Sequence, residues 1–223
     1  MLIQLDKQLK KLDEYRAGTL KTGLKLGIPR LDNHLRFKYS SLNIVLGHAN
    51  VGKTSVLLYL MTLYSLKHNI RWLVFSSENE CYTLYRKILE FLEGQIFTKI
   101  EDSVYKERIK WIDKHFKFVD ASKIYTYKSL LDLAKHVKKA WDYQGFIIDP
   151  WNSLAKDKGK LKGTSSYEYN YEALSDVRIF CKDNEISTYI CAHAATEALR
   201  QKHPKGHYYE GHPIPPSAAS IEF

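Results

Sequence analysis

The chain has 223 residues, 44% of them hydrophobic, which is enough for one α/β domain with a full core and short for two. Lysines and arginines number 34 against 25 acidic residues, and the net charge of +9 favours a polyanionic partner without identifying one. No apolar run approaches the ~20 residues that cross a bilayer, and charges within residues 1–8 argue against a signal peptide. The three cysteines lack the paired spacing of disulfides or metal ligands, so we expect a cytoplasmic protein with reduced thiols and no membrane partner.

The first part of the chain predicts a helix followed by a loop. In residues 1–16, leucines recur every three or four positions between charged residues, which is typical of an amphipathic helix. The segment 22–39 is expected to be loop-like, because Gly23, Gly27 and Pro29 interrupt it.

The rest of the chain alternates between short apolar segments and longer helical ones. Apolar segments that predict strands are 42–46, 71–76, 116–120, 145–149 and 187–192. Helices are predicted over 55–64, 82–93, 129–142 and 171–184. This order indicates an α/β fold with a mostly parallel sheet that carries helices on both faces.

The segment between the first strand and the next helix reads GHANVGKT and matches the G-x-x-x-x-G-K-[ST] phosphate-binding loop. In such a loop, backbone N–H groups surround a phosphate and the helix N-terminus adds positive potential. Lys53 would reach the β- and γ-phosphates, and the Thr54 hydroxyl would bind Mg²⁺. The motif therefore predicts nucleoside triphosphate binding, and the alternative is a chance match in a glycine turn. The expected nucleotide-binding residues are Gly47, His48, Ala49, Asn50, Val51, Gly52, Lys53, Thr54 and Ser55.

Polar side chains also follow three other strands at the edge of the sheet where ligands bind. Asp149 could support Mg²⁺, and Glu78 could activate water, with Glu80 as the neighbouring alternative. His193 could hydrogen-bond the γ-phosphate. Each also has an ordinary explanation, since strand ends often carry Asp, acids favour the first turn of a helix, and a histidine can simply bond to backbone groups.

Taken together, these segments resemble the RecA-like motor domain of hexameric replicative DNA helicases of the DnaB, Twinkle and phage primase-helicase type. The resemblance rests on the phosphate loop and on the segments LGIPRLD (26–32), FSSEN (75–79), IDPWN (148–152) and ICAHA (190–194). Ala194 stands where the family has proline. The resemblance implies a RecA-like P-loop fold, ATP and Mg²⁺ as cofactors, Lys53, Glu78 and His193 as catalytic residues, and Thr54 and Asp149 as metal ligands.

The resemblance also implies contact with single-stranded DNA. In the family, two loops line the central channel, one after the Walker-B strand and one after the phosphate-sensing strand, and here these would be 153–166 and 196–216. Both loops are basic, but solvated surface loops are often lysine-rich as well. The expected DNA-binding residues are Lys156, Lys158, Lys160, Lys162, Arg200, Lys202 and Lys205.

By the same resemblance, residues 1–20 form a linker-like helix, which packs either on a neighbouring subunit or back on its own domain. Residues 21–223 form the ATPase domain, and we expect its C-terminal strands and arginine finger to be missing. The implied assembly is a hexameric ring with a primase or loader protein as a further partner.

The predicted function is therefore an ATP-dependent helicase motor moving on single-stranded DNA. One alternative is a RecA-like regulatory or recombination ATPase that acts with protein partners. Another is a nucleotide-dependent DNA-binding module with little turnover. A small-molecule P-loop kinase is disfavoured, because the sequence has no arginine-rich, lid-like insertion.

Overall fold

The computed structural model describes residues 5–19, 23–157, 165–194 and 201–214. Backbone contacts divide the chain into two units, residues 1–38 and 39–223. The helices are α1 (Leu5–Arg16), α2 (Pro29–Asp32), α3 (Lys53–His68), α4 (Cys81–Glu93), α5 (Asp102–His115), α6 (Tyr127–Ala140) and α7 (Ser166–Asp183). The strands are β1 (Leu42–Gly47), β2 (Trp72–Ser76), β3 (Phe116–Phe118), β4 (Gly145–Asp149) and β5 (Ser187–His193).

The first unit contains the predicted N-terminal helix, α1, which carries exposed leucines at positions 5, 9 and 12. The segment predicted as a loop also contains a short helix, α2, so that prediction was incomplete. Pro29 begins α2, where its missing N–H group costs no helical hydrogen bond. The buried Asp32 carboxylate accepts hydrogen bonds from the backbone N–H groups of Leu26 and Gly27, both at 2.7 Å.

In the second unit, the five described strands form one sheet in the order β1-β5-β4-β2-β3, and every pair is parallel. The prediction of a parallel sheet flanked by helices is thus confirmed. The register aligns Gly47 with His193 across β1 and β5, and Ser76 with Asp149 across β2 and β4. Because all strands run the same way, their carboxyl ends meet at one edge of the sheet.

A large apolar core lies between the sheet and helices α6 and α7. Phe146 and Ile148 of β4 and Ile190 of β5 pack there against α6 and α7, and all three are at most 1% exposed. Full burial of one such side chain stabilises the fold by about 1.5–3 kcal/mol. Within the described ranges, no helix combines the length and apolar character that a bilayer crossing requires.

Several element boundaries differ from those that the sequence predicted. Helix α5 was not predicted at all, and β3 ends at Phe118 rather than at residue 120. Helix α6 begins two residues earlier than predicted, after the N-cap Thr126, whose side chain accepts a hydrogen bond from the Ser129 N–H group. Helix α7 begins at Ser166, five residues early, because Ser165 and Glu168 form a capping box.

The contact between Gly145 and Trp72 gives the first testable prediction. A methyl group on Gly145 would overlap the indole ring of Trp72, which is fully buried and hydrogen-bonds the Ser65 hydroxyl through Nε1 at 3.1 Å. Since the ring has no space to move into, Gly145→Ala should lower the free energy of unfolding by about 3 kcal/mol or more. Urea denaturation monitored by circular dichroism measures this loss.

Gly94→Ala is the matched control, because Gly94 has a positive φ of 63° and open space around its Cα atom. There only backbone strain opposes a side chain, at about 1–2 kcal/mol. Equal losses in the two variants would contradict the overlap with Trp72.

Candidate functional site

The phosphate-loop sequence forms a tight connection between β1 and α3. Gly52 precedes α3 with a φ of 88°, and Asn50 has a φ of 60°. A Cβ atom at Gly47 would lie 3.1 Å from the Val51 side chain and 3.2 Å from that of Lys53, a tight approach that favours glycine at this position. The loop therefore wraps closely around its own first residue.

Lys53 lies over this loop and contacts its backbone. Its Nζ atom donates hydrogen bonds to the carbonyl oxygens of Gly47, at 3.0 Å, and His48, at 2.8 Å. These bonds hold the ammonium group at the mouth of the loop. Carbonyl oxygens are neutral partners, so an anion entering the loop can replace them as the acceptor.

Asp149 ends β4 next to the start of α3. Its Oδ2 atom accepts a hydrogen bond of 2.7 Å from the Thr54 hydroxyl, and only 2% of the residue is exposed. The Cys191 thiol also donates to this carboxylate, and burial together with the nearby negative charge raises the pKa of Cys191. Both partners are neutral, and no lysine, arginine or histidine among the described residues forms an ion pair with Asp149. A buried carboxylate of this kind fits a cation site.

Glu78 and His193 meet above the same edge. His193 Nε2 lies 3.2 Å from Glu78 Oε1, and the Glu78 side chain is 52% exposed. The backbone N–H group of His193 donates to Asn152 Oδ1 at 3.4 Å. These contacts join the ends of β2 and β5 to the short 3₁₀ turn Trp151–Ser153 that follows β4.

One cavity of ≈ 300 Å³ brings these groups together. It is lined by Asn50, Gly52, Lys53, Thr54, Ser55, Glu78, Asn79, Lys87, Asp149 and His193. Eight residues singled out from the sequence thus face one space, although they come from the phosphate loop, α3, β4, β5 and the segment after β2. Glu80, the alternative to Glu78, does not line it.

A larger cavity of ≈ 440 Å³ lies beside the first and shares Glu78 and Asn79 with it. Its other walls come from the ends of β2 and β3, the segments that follow them and the first turn of α4, and it has no residue of the phosphate loop. We therefore assign the chemistry to the smaller cavity, where cationic, hydroxyl and carboxylate groups converge.

Besides Asn79, which also lines the cavity, sequence reasoning missed two residues of this site. Lys87, from α4, lines the cavity and donates a hydrogen bond to the Ser55 hydroxyl at 3.0 Å. Asn152 bonds the backbone of His193. In the sequence, Lys87 looks like an ordinary surface lysine of a helix, and only the pairing of α4 with α3 brings it to the site.

The residues expected to bind DNA are only partly described. Lys156 is exposed just after the Trp151–Ser153 turn. Lys202 and Lys205 are exposed in the segment 201–214, which is closed by an antiparallel bridge between Lys202 and Pro213. The other four residues lie outside the described ranges: Lys158, Lys160, Lys162 and Arg200.

Comparison with solved structures identifies the fold. The chain superposes on a solved ATPase domain with a TM-score of 0.71 and 13% identity, over 92% of this chain and 76% of that one. It superposes on a DnaB-like replicative helicase, solved in a study of its interactions with primase, with a TM-score of 0.67 and 10% identity, over 91% of this chain. The chain corresponds to about half of that second chain, 51%. No protein-family model and no curated protein match the sequence.

The fold is therefore that of the RecA-like ATPase domains of DnaB-type helicases, which confirms the resemblance that the sequence indicated. At 10–13% identity, the likeness concerns the fold, and the function has to be argued from the site.

The cysteines give a test of the site's packing. Cys181 and Cys191 are buried and Cys81 is exposed, and all three are free thiols. In the native protein, Ellman's reagent should therefore modify one thiol per chain, and in denaturant it should modify three. Partial burial and the nearby Glu80 raise the pKa of Cys81, so its reaction should be slower than that of free cysteine and should accelerate as the pH rises. Rapid native modification of Cys191 would contradict its burial beneath Asp149.

Proposed function

We propose that the chain is a Mg²⁺-dependent ATPase and the motor of a replicative-type ring helicase that moves on single-stranded DNA. The observation that carries this proposal is the single cavity in which Lys53, Thr54, Asp149, Glu78 and His193 converge. Together these side chains offer a phosphate-binding cation, two metal-binding oxygens, a candidate base and a hydrogen-bonding imidazole.

The phosphate loop would bind the triphosphate. Its backbone N–H groups and the N-terminus of α3 provide positive potential for the α- and β-phosphates. Lys53 would exchange the carbonyl oxygens of Gly47 and His48 for phosphate oxygens and so hold the terminal phosphates. The Ser55 hydroxyl lies beside them in the first turn of α3.

Thr54 and Asp149 would hold Mg²⁺. Their oxygens are already 2.7 Å apart, and hard oxygen ligands from a hydroxyl and a carboxylate suit this ion, which keeps several waters. When bound, Mg²⁺ neutralises charge on the phosphates. Asp149 would orient the Thr54 hydroxyl and stabilise the positive charge from its buried position.

Glu78 would activate the attacking water. Its exposed carboxylate faces the cavity, so it can accept a proton from a water molecule positioned opposite the leaving phosphate. His193 hydrogen-bonds Glu78 and would turn from this carboxylate to the γ-phosphate when ATP enters. Glu78 would then be released to act as the base.

Asn152 would couple the phosphate-binding site to the first proposed DNA loop. It holds the backbone of His193 and belongs to the turn that leads into the first proposed DNA loop, whose first lysine is Lys156. A movement of His193 on hydrolysis would therefore shift the base of that loop. The lysines of both loops would follow the DNA phosphates, whose binding they would make dependent on salt.

Assembly into a hexameric ring, a linker role for residues 1–20 and contact with a primase or loader also belong to this proposal. They rest on the fold likeness and on the second solved structure, a helicase studied for its own interactions with primase. Analytical ultracentrifugation of the chain with and without MgATP would measure the assembly directly.

The roles of the two glutamates can be separated by hydrolysis assays. Lys53→Ala should abolish nucleotide binding and turnover together. Glu78→Gln should retain nucleotide binding and lower kcat by about 10²- to 10⁴-fold, because proton transfer from water loses its acceptor. Glu80→Gln is the matched control and should retain most of the wild-type rate. A large loss in Glu80→Gln with an active Glu78→Gln would contradict the assignment of the base.

DNA dependence distinguishes a motor from an ATPase that acts with proteins. Single-stranded DNA should stimulate hydrolysis, and replacing Lys202 and Lys205 by alanine should raise the DNA concentration needed for half-maximal stimulation. The salt dependence of DNA binding should also become shallower, since fewer counterions are released. The exposed lysines 106 and 110 of α5 provide the control pair. A hydrolysis rate indifferent to DNA, but lost in Lys53→Ala, would favour a protein-regulated ATPase.

A further inference from the structure

Lys87 reaches the phosphate site from a helix that the sequence motifs do not include. It lies in α4 and donates a hydrogen bond from Nζ to the Ser55 hydroxyl, at 3.0 Å, in the first turn of α3. It lines the same cavity as Lys53, on an element that is remote from the phosphate loop in sequence.

The helix geometry explains how Lys87 reaches this position. Helices α3 and α4 pack against each other, and each starts at the carboxyl edge of the sheet. Side chains lean toward the N-terminus of their helix, so a lysine in the second turn of α4 extends back toward that edge. Its neighbours Leu84 and Ile88 are buried, at 2% and 0% exposure, so Lys87 emerges beside the face that packs against the core.

The partner of Lys87 is weak for a partly buried ammonium group. Lysines are seldom buried without a counter-charge, yet among the described residues the hydrogen-bond acceptor of Lys87 is a neutral hydroxyl and no carboxylate forms an ion pair with it. A hydrogen bond that only links α3 to α4 does not require a charged donor at position 87. A cation that faces a phosphate-binding cavity without an ionic partner is arranged for an anionic ligand.

The lining of the cavity indicates which part of the ligand this cation meets. The loop and the first turn of α3 account for the inner phosphates, and Lys53 extends from them toward the terminal one. The remaining walls come from outside the loop and include Glu78, Asn79, Lys87 and His193. These side chains would therefore face the terminal phosphate of a bound nucleoside triphosphate.

We infer that Lys87 is a second phosphate-binding cation, which contacts the terminal phosphate of a bound nucleoside triphosphate from within the same subunit. This inference rests on the proposed function. It adds Lys87 to Lys53 and His193 as a residue by which the site discriminates a triphosphate from a diphosphate before any partner subunit contributes.

The test compares MgATPγS with MgADP by isothermal titration calorimetry of the full chain. Lys87→Met, which keeps the apolar stem, should weaken MgATPγS binding by about 10- to 100-fold and change MgADP binding by less than about threefold, because a hydrogen bond to a charged group is lost only with the triphosphate. Lys87→Arg keeps the charge and should preserve most of the preference. Arg86→Met, which neutralises the adjacent exposed cation on α4, is the matched control.

Equal weakening of both nucleotides by Lys87→Met, or no weakening of either, would overturn the inference and leave Lys87 as a link between α3 and α4. Should Lys87→Met fail to fold, Lys87→Gln, which can still bond the Ser55 hydroxyl, provides the same comparison. Failure of the proposed function is distinguishable, because the wild-type chain would then bind neither nucleotide and Lys53→Ala would change nothing.

Discussion

The hydrogen bond from the Thr54 hydroxyl to the Asp149 carboxylate joins the first turn of α3 to the end of β4. Helix α3 follows β1 through the phosphate loop, and β1 does not pair with β4, because β5 lies between them in the sheet. The contact therefore depends on two registers, which align Leu46 with Ala192 and Ile148 with Ile190. A slip of one residue between β4 and β5 would turn Asp149 to the other face of the sheet, and a slip between β1 and β5 would displace the start of α3. Either change would separate Asp149 from Thr54.

The same alignment brings the remaining groups to the site. Ser76 pairs with Asp149, so the chain leaves β2 at the level of the carboxylate and Glu78 follows two residues later. Gly47 pairs with His193, which sets the imidazole beside the start of the phosphate loop. The functional groups thus need no special local structure beyond the loop itself, since parallel strands in register deliver them to one edge.

Electrostatics complete the arrangement. The buried Asp149 has neutral hydrogen-bond partners, and Lys53 and Lys87 have neutral oxygen partners. Charges of both signs are therefore held close together without being paired to one another. Burial of unpaired charges is costly in the absence of a ligand, and a metal-bound triphosphate would offer each of them an opposite charge. This balance is our physical reason for regarding the cavity as a nucleotide site.

Much of this could be predicted from the sequence, for identifiable reasons. The apolar strands and the phosphate loop have strong local patterns, so the parallel sheet, Lys53, Thr54 and Asp149 could all be placed at its edge. Helix α5 was missed because only Ile112 and His115 are buried in it, which leaves almost no apolar period to recognise. The early start of α7 could have been found, since Ser165 and Glu168 have the spacing of a capping box. Lys87 and Asn152 were missed for a different reason. Lys87 contacts Ser55, and Asn152 contacts His193, and in each pair the two residues are distant in sequence. A pattern within one segment of the sequence cannot predict such contacts.

The most direct test of the account is the Mg²⁺ dependence of ATP binding, measured by calorimetry for the wild-type chain and for Asp149→Asn. We expect the wild-type chain to bind ATP about tenfold or more tightly with Mg²⁺ than with EDTA, and Asp149→Asn to lose most of that difference. If Asp149→Asn binds MgATP as the wild type does, with the same dependence on Mg²⁺, then the contact between Thr54 and Asp149 does not mark the metal site and the account fails.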